Sequence, residues 1–331
     1  MARRMSVLHI TNGDSTRLGL ELSGVPGTFR SWGDILHDGP TPAGLSAPEW
    51  RRVRAEYLAS QDYGAFDDIL AQYEREDAAF DSWPSYDELV LWFEHDLYDQ
   101  LILIRHLAAL SNATNPQNLS NPDNPGTPTT SLVCSDRYLG PLKPHEFPAL
   151  FDARQPITPE QLALGARAWD AFRAEDPRGL ETIMGGDTSA LPYLAGALQR
   201  HFEDYPWEPD GLARSERQIL RAIDAGATRP HEIFRACAGM EERIFMGDLP
   251  FWTVVRRLAS GPRPLVGLEV GPWERRLPAG AVTLTGAGRD VLAGRADYVA
   301  LNGISRWMGG VPLSPSHLWR WTGSAVRPAS A

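Results

Sequence analysis

The sequence predicts an α/β protein in three parts. These are a Rossmann-like, mainly parallel sheet over residues 1–143, a helical connector over 144–210, and a winged-helix-like region with a Trp-rich tail over 211–331. Three observations carry this expectation. Short β-rich runs alternate with helical segments up to about residue 140, which implies right-handed crossovers and parallel strands. Strand signals are then absent between about 144 and 207. From Gly211 onward, three helical segments precede two strand signals around a Gly-Pro-rich turn.

The elements follow in order. Ser6 to Thr11 (SVLHIT) reads as a strand, and Asn12-Gly13-Asp14-Ser15 as a turn that can cap the next helix. Thr28 to Trp32 is a second strand, broken by Gly33-Asp34. Pro48 to Ala59 reads as a helix with proline in its first turn, and Tyr63 to Phe80 as a second with an acidic outer face. Glu88 to Phe93 (ELVLWF) is a near-continuous apolar run, as expected of a strand covered on both faces. Leu97 to Leu110 is a strongly apolar helix, and Ser131 to Cys134 a fourth strand. Between them, residues 111–130 are rich in Asn, Pro, Ser and Thr and read as a long loop. Thr158 caps a helix reaching about Ala174, and Leu191 to Tyr205 forms another. Helices then start near Ser215 and Arg229-Pro230, and a third spans Met246 to Leu258. The strand pair is Pro264 to Glu269 with Ala281 to Leu284, followed by a helix from Gly288 to Leu292. Trp307, Trp319 and Trp321 read as anchors of the tail on the body.

Composition narrows the chemistry. Of 32 basic residues only Lys143 is lysine, and it follows no phosphate-binding glycine motif. The arginine excess matches codon usage in a GC-rich genome. Cys134 and Cys237 are too few for a disulfide framework or a four-cysteine zinc site. No apolar run is long enough for a signal peptide or a membrane span, so the expected setting is cytoplasmic and reducing. The net charge of −10 disfavours a chain that coats nucleic acid along its whole surface. From Arg229 onward, however, 13 arginines face 8 acids, a net of +5, so the preceding 228 residues carry −15. A basic winged helix admits DNA as a partner, and Arg256 and Arg257 on its third helix are the candidate contacts. Protein docking is the other use of such a module.

In an open parallel sheet, ligands bind beyond the carboxyl ends of the strands. The first strand delivers Asn12, Gly13, Asp14 and Ser15 to that rim, and the second delivers Asp34, His37 and Asp38. The third delivers Glu94, His95 and Asp96, and the fourth Ser135 and Asp136. These groups suit hydrolysis or group transfer on a small polar, phosphorylated or nucleotide-like molecule. His37 or His95 would serve as base, Asp14, Asp34, Glu94 and Asp96 as orienting groups or ligands of a divalent metal, and Ser15 as nucleophile. A helix start at Asn12 to Ser15 also offers N–H groups to an anion. His9 lies within the first strand, on the face of Val7 and Thr11. A ligand-sensing regulator is the alternative class.

Gly13-Asp14-Ser15 and the Asp34-x-x-His37 pair resemble the motifs of SGNH esterases, though in that family the pair lies near the C-terminus and here it follows the second strand. A resemblance covering residues 6 to 140 is more specific. LHITNGDST, SWGDILHDGP and LWFEHDLYDQLILIRHL are similar, in that order, to the bacterial family known as domain of unknown function 1835. That resemblance implies no activity. It implies that His9, Gly13, Asp14, Ser15, Asp34, Gly39, Pro40, Glu94, Asp96, Asp99 and Gln100 occupy motif positions, which adds Asp99 and Gln100 to the candidate ligand-binding residues.

Overall fold

A computed structural model describes residues 5–113, 128–274 and 277–329. Residues 114–127 of the expected 111–130 loop therefore lie outside the described residues. The chain opens with β1 (Val7–Thr11), α1 (Asp14–Glu21), β2 (Thr28–Ser31), β3 (Gly39–Pro40), α2 (Ala47–Ser60) and α3 (Phe66–Asp81). It continues through β4 (Glu88–Phe93), α4 (Leu97–Ala113), β5 (Thr129–Cys134), α5 (Phe147–Asp152) and β6 (Gln155–Pro156). The main sheet runs β2-β1-β4-β5-β6. Its first four strands are parallel and β6 closes the edge antiparallel.

The apolar runs explain the layering. β1, β4 and most of β5 are buried on both faces because helices cover both. Leu8, Ile10, Leu89, Leu91 and Phe93 belong to the larger core, with residues of α2, α3 and α4. The alternate residues Val7, Val90, Trp92 and Val133 pack with Leu20, Leu139, Phe147 and Phe151 on the other face.

Next come α6 (Pro159–Phe172), α7 (Arg178–Met184) and α8 (Leu194–Phe202), then α9 (Arg214–Asp224), α10 (Pro230–Ala238) and α11 (Asp248–Leu258). Thr158 caps α6, its hydroxyl accepting from the Gln161 N–H at 3.2 Å. β7 (Val266–Leu268) and β10 (Val282–Leu284) pair antiparallel around a small ribbon of β8 (Trp273–Glu274) and β9 (Leu277–Pro278). Two short helices, α12 (Gly286–Leu292) and α13 (Tyr298–Asn302), and four strands complete the chain: β11 (Arg306–Gly309), β12 (Val311–Leu313), β13 (Trp319–Trp321) and β14 (Val326–Pro328).

The cores divide the chain differently from the expected boundaries. α6 and α8 pack on α4, so residues 159–202 belong to the sheet body and do not form a separate connector. A second core gathers Leu212 to Tyr298 alone. The tail then returns to the first body. β11 adds parallel to β3, with Met308 opposite Gly39, and Trp319 and Trp321 are buried in the first core. Trp321 stacks on Phe202 at 5.5 Å. The tail strands carried no signal legible in the sequence, because each is only three or four residues long; β11–β12 and β13–β14 pair locally, and the β11–β3 pairing reaches far back in the chain. Among the described residues, no helix is long and apolar enough to cross a membrane.

The tail is seated by close backbone approach. The Gly310 N–H donates to Phe172 O at 2.9 Å, and a Cβ on Gly310 would lie 1.8 Å from Arg173 O. Gly310→Ala is therefore expected to cost more than about 2 kcal/mol. Urea unfolding, with limited proteolysis of the tail, measures it; wild-type stability in that variant would show that the backbone shifts freely there.

His106 lies wholly buried among Trp32, Phe80 and Phe93, with ring centroids 4.6 to 5.7 Å away. Its Nδ1 is 2.9 Å from Ile102 O, so Nδ1 carries the proton, and Nε2 has no partner. Burial pushes its pKa down to about 3. The folded value is below the unfolded one, so between pH 6.5 and 3 the unfolded chain binds the proton first. Native stability then falls with acidity by about 1.4 kcal/mol per pH unit from this group. His106→Phe should remove that component, so the stability advantage of wild type over the variant shrinks as pH drops. Parallel pH curves for the two proteins would contradict it.

Candidate functional site

The chain leaves β1 toward β2 on one side and later places β4 on the other side of β1. The strand order reverses between β1 and β4, and at such a switch point the loops splay apart and leave a crevice. Asn12 stands at the end of β1 and Glu94 at the end of β4. Only three residues separate β4 from α4, so a strand-end carboxylate, a cap carboxylate and a first-turn carboxylate are crowded together. Glu94, Asp96 and Asp99 each offer an oxygen within 4.8 Å of the others.

All three are buried, none more than 5% exposed. Asp96 caps α4, its Oδ1 accepting from the Asp99 N–H at 3.2 Å. Asp99 Oδ1 accepts from the Glu94 N–H and its Oδ2 from Asn12 Nδ2, both at 2.7 Å. Glu94 Oε1 accepts from the Leu139 N–H at 2.7 Å and from Asn12 at 3.4 Å. The Thr16 hydroxyl donates to Asn12 Oδ1 at 3.2 Å and so orients the amide. Every partner is a neutral N–H, and among the described residues none of the three carboxylates has an ion pair. Burial raises the pKa of all three, with their mutual repulsion adding for Asp96 and Asp99; Asp96 is pushed up to about 7. Gln100, with no solvent exposure, donates from Nε2 to Glu94 O at 2.6 Å, while its Oε1 has no partner. Three crowded acids with no basic side chain paired to them are the ligand type that a hard divalent cation takes.

The other candidates are dispersed. His95 lies on the rim between two of the acids. Its ring is 5.0 Å from Tyr138, its Nδ1 has no partner, and burial lowers its pKa. Asp14 is exposed at the start of α1, where it accepts from the Ser31 hydroxyl at 2.9 Å and pairs with Arg17; these bonds hold its pKa below the usual range. Ser15 is exposed beside Gly140, and Gly13 has open space around it. Ser135 is buried, accepting from the Arg137 N–H, while Asp136 is exposed.

Asp34 does not join the carboxylate cluster. Both its oxygens are taken by Arg54, at 2.6 and 2.9 Å, in a pair with no side-chain exposure. Asp38 faces Arg257 at 3.5 Å. The Asp34–His37 dyad required by the esterase motif is therefore not formed: the guanidinium outcompetes imidazole for both oxygens, and both His37 ring nitrogens lack partners. His37 is enclosed against Phe245 in a small cavity shared with Asp204, Ser215 and Arg257. Among the described residues, no hydrogen bond joins Ser15 to a histidine.

His9 is a core group on the face away from α4. Its Nδ1 accepts from Trp92 Nε1–H at 3.0 Å, so Nε2 carries the proton and donates to Pro26 O at 3.1 Å. It stacks on Phe29, and burial pushes its pKa down to about 4. Arg256 and Arg257 lie at the contact with the first body and not on an open face. Arg256 binds Asp62 and Gln61 O, and Arg257 lies near Asp38 and Glu216.

Leu139, Tyr138 and Arg243 complete the surroundings of the rim and carried no sequence signal. Leu139 acts through its backbone N–H, and Arg243 comes from the second core's polypeptide 148 residues beyond His95, the carbonyl it reaches. Comparison with protein-family models finds no matching family, and comparison with curated proteins finds no significant match.

Proposed function

We propose that the protein is a divalent-cation-dependent hydrolase or group transferase acting on a small phosphorylated, nucleotide-like molecule at the sheet rim. The observation that carries this reading is the buried, uncompensated Glu94–Asp96–Asp99 cluster at the topological switch point. Three acids without a counter-charge are expensive to bury unless a cation or protons neutralise them. The resemblance to domain of unknown function 1835 supports the grouping, since its motif positions include all three. A cation held there would polarise a phosphoryl oxygen. Asn12 and Leu139 orient Glu94 and Asp99, the N-terminal end of α1 favours an anion, and His95 accepts a proton at its unpartnered Nδ1.

Equilibrium dialysis with Mn2+ and a phosphomonoester hydrolysis assay test the proposal. One cation per chain is expected, together with cation-dependent phosphate release. His95→Gln should lower turnover at least about tenfold while keeping the cation. Absence of Mn2+ binding at millimolar concentration overturns the reading.

We read residues 212–301, three helices and an antiparallel ribbon followed by two short helices, as winged-helix-like and used for docking on the sheet body. Its support is the engagement of Arg256 with Asp62 and of Arg257 with Asp38.

A further inference from the structure

We propose that the cavity between the sheet rim, α8 and the segment after α10 is a phosphate subsite, with Arg243 as its anion-binding residue. This rests on the cation reading above and specifies how the substrate's anionic group is held. The cavity has a volume of about 190 Å³, and its charged lining is Arg200, Arg214 and Arg243 with Glu203, Glu241 and Glu242, beside His95.

The charges there are not equivalent. Arg200 closes on Glu241 through two bonds of 2.7 and 2.9 Å, and Arg214 binds Glu203 at 2.6 Å. Both cations are thereby neutralised. Arg243 has no carboxylate partner among the described residues. Its Nη1 reaches His95 O at 3.3 Å, and its guanidinium lies 5.2 Å from the Tyr193 ring centroid. A guanidinium has five N–H donors in a planar fork, so most of the capacity of Arg243 is unspent. His95 lines the same cavity, and its buried Nδ1 has no partner. An unpaired fork matches the acceptor oxygens of a phosphate monoester.

The two residues that follow Arg243 are anchored. The Ile244 N–H donates to the Tyr138 hydroxyl, and the buried Phe245 packs against His37 and beneath Arg200. The second core's polypeptide thus completes a site whose acids come from the first body. The volume is below the roughly 300 Å³ at which pockets for drug-sized ligands begin, which suits a single phosphoryl group.

The test is isothermal titration of the full chain with MgCl2 alone, and with inorganic phosphate at saturating Mg2+ and without it. Wild type should bind phosphate. Arg243→Gln should weaken phosphate binding at least tenfold while its Mg2+ affinity stays within twofold, and Arg243→Lys should be intermediate. Thermal melts confirm that both variants are folded, and if Arg243→Gln does not fold, Arg243→Lys decides. Phosphate affinity unchanged by the substitution, or no phosphate binding by wild type under either condition, overturns the proposal. Phosphate binding that depends on Arg243 without any Mg2+ binding supports the subsite and overturns the cation reading instead.

Discussion

Asp96→Asn is expected to make the protein more stable and at the same time unable to hold a divalent cation. The acid lies 3% exposed beside Glu94 and Asp99, with no basic side chain paired to any of them. Burial and the Glu94 charge make its ionised form costly, and removing one of three like charges should return about 1–3 kcal/mol. Asparagine suits the position. Its carbonyl keeps the cap on the Asp99 N–H. Urea unfolding without metal should show the gain, and Mn2+ dialysis should show the loss. A variant both less stable and still able to bind Mn2+ would refute the cluster's assignment. The opposite signs make the experiment decisive, because an ordinary capping acid would lose stability on substitution and leave cation binding untouched.

Arg54→Ala should be the most damaging single change to the fold, costing about 3–5 kcal/mol. Arg54 and Asp34 have no side-chain exposure. Besides the two bonds to Asp34, the guanidinium donates to the carbonyls of Ile35, Asp38 and Pro40. It therefore folds the segment after β2 around itself and places β3 where β11 can pair. Truncation leaves a buried carboxylate unpaired and takes a donor from three carbonyls, of which Ile35 O keeps the Asp38 N–H. Asp34→Asn is expected to cost less, since one oxygen still accepts and the carbonyl contacts remain. Joint replacement by Leu and Met should recover only part of the loss, because the carbonyls do not regain that donor. Chemical denaturation of the four proteins measures the series, and full recovery in the double variant would show that the carbonyl bonds contribute little.

Much of the sheet was legible in the sequence because its strands are fully covered. ELVLWF can be satisfied only by apolar neighbours on both faces, and β4 matches the expected span residue for residue. Glu94 and Asp96 were legible because a strand end leads directly into a helix cap. Asp34 was misleading for the same reason: it too follows a strand, yet its partner lies 20 residues on in a helix that gave no sign of facing inward. His9 could not be distinguished from a ligand-facing group by alternation, since both faces of β1 are buried. Arg256 and Arg257 looked like free cations because a sequence shows charge and not the acid that meets it.

Local chemistry therefore determined the parts of this protein. Apolar period set strands and helices, proline and Thr158 set helix starts, and acids following a strand marked a rim. Tertiary structure decided which of those acids share a site, which is spent on a buried arginine, and where the tail returns. The physical reason is range. Secondary structure depends on residues within a few positions, whereas charge compensation and close backbone approach depend on contacts between residues tens to hundreds of positions apart. Arg243 meeting His95 and β11 meeting β3 are contacts of this kind, and local pattern does not encode them.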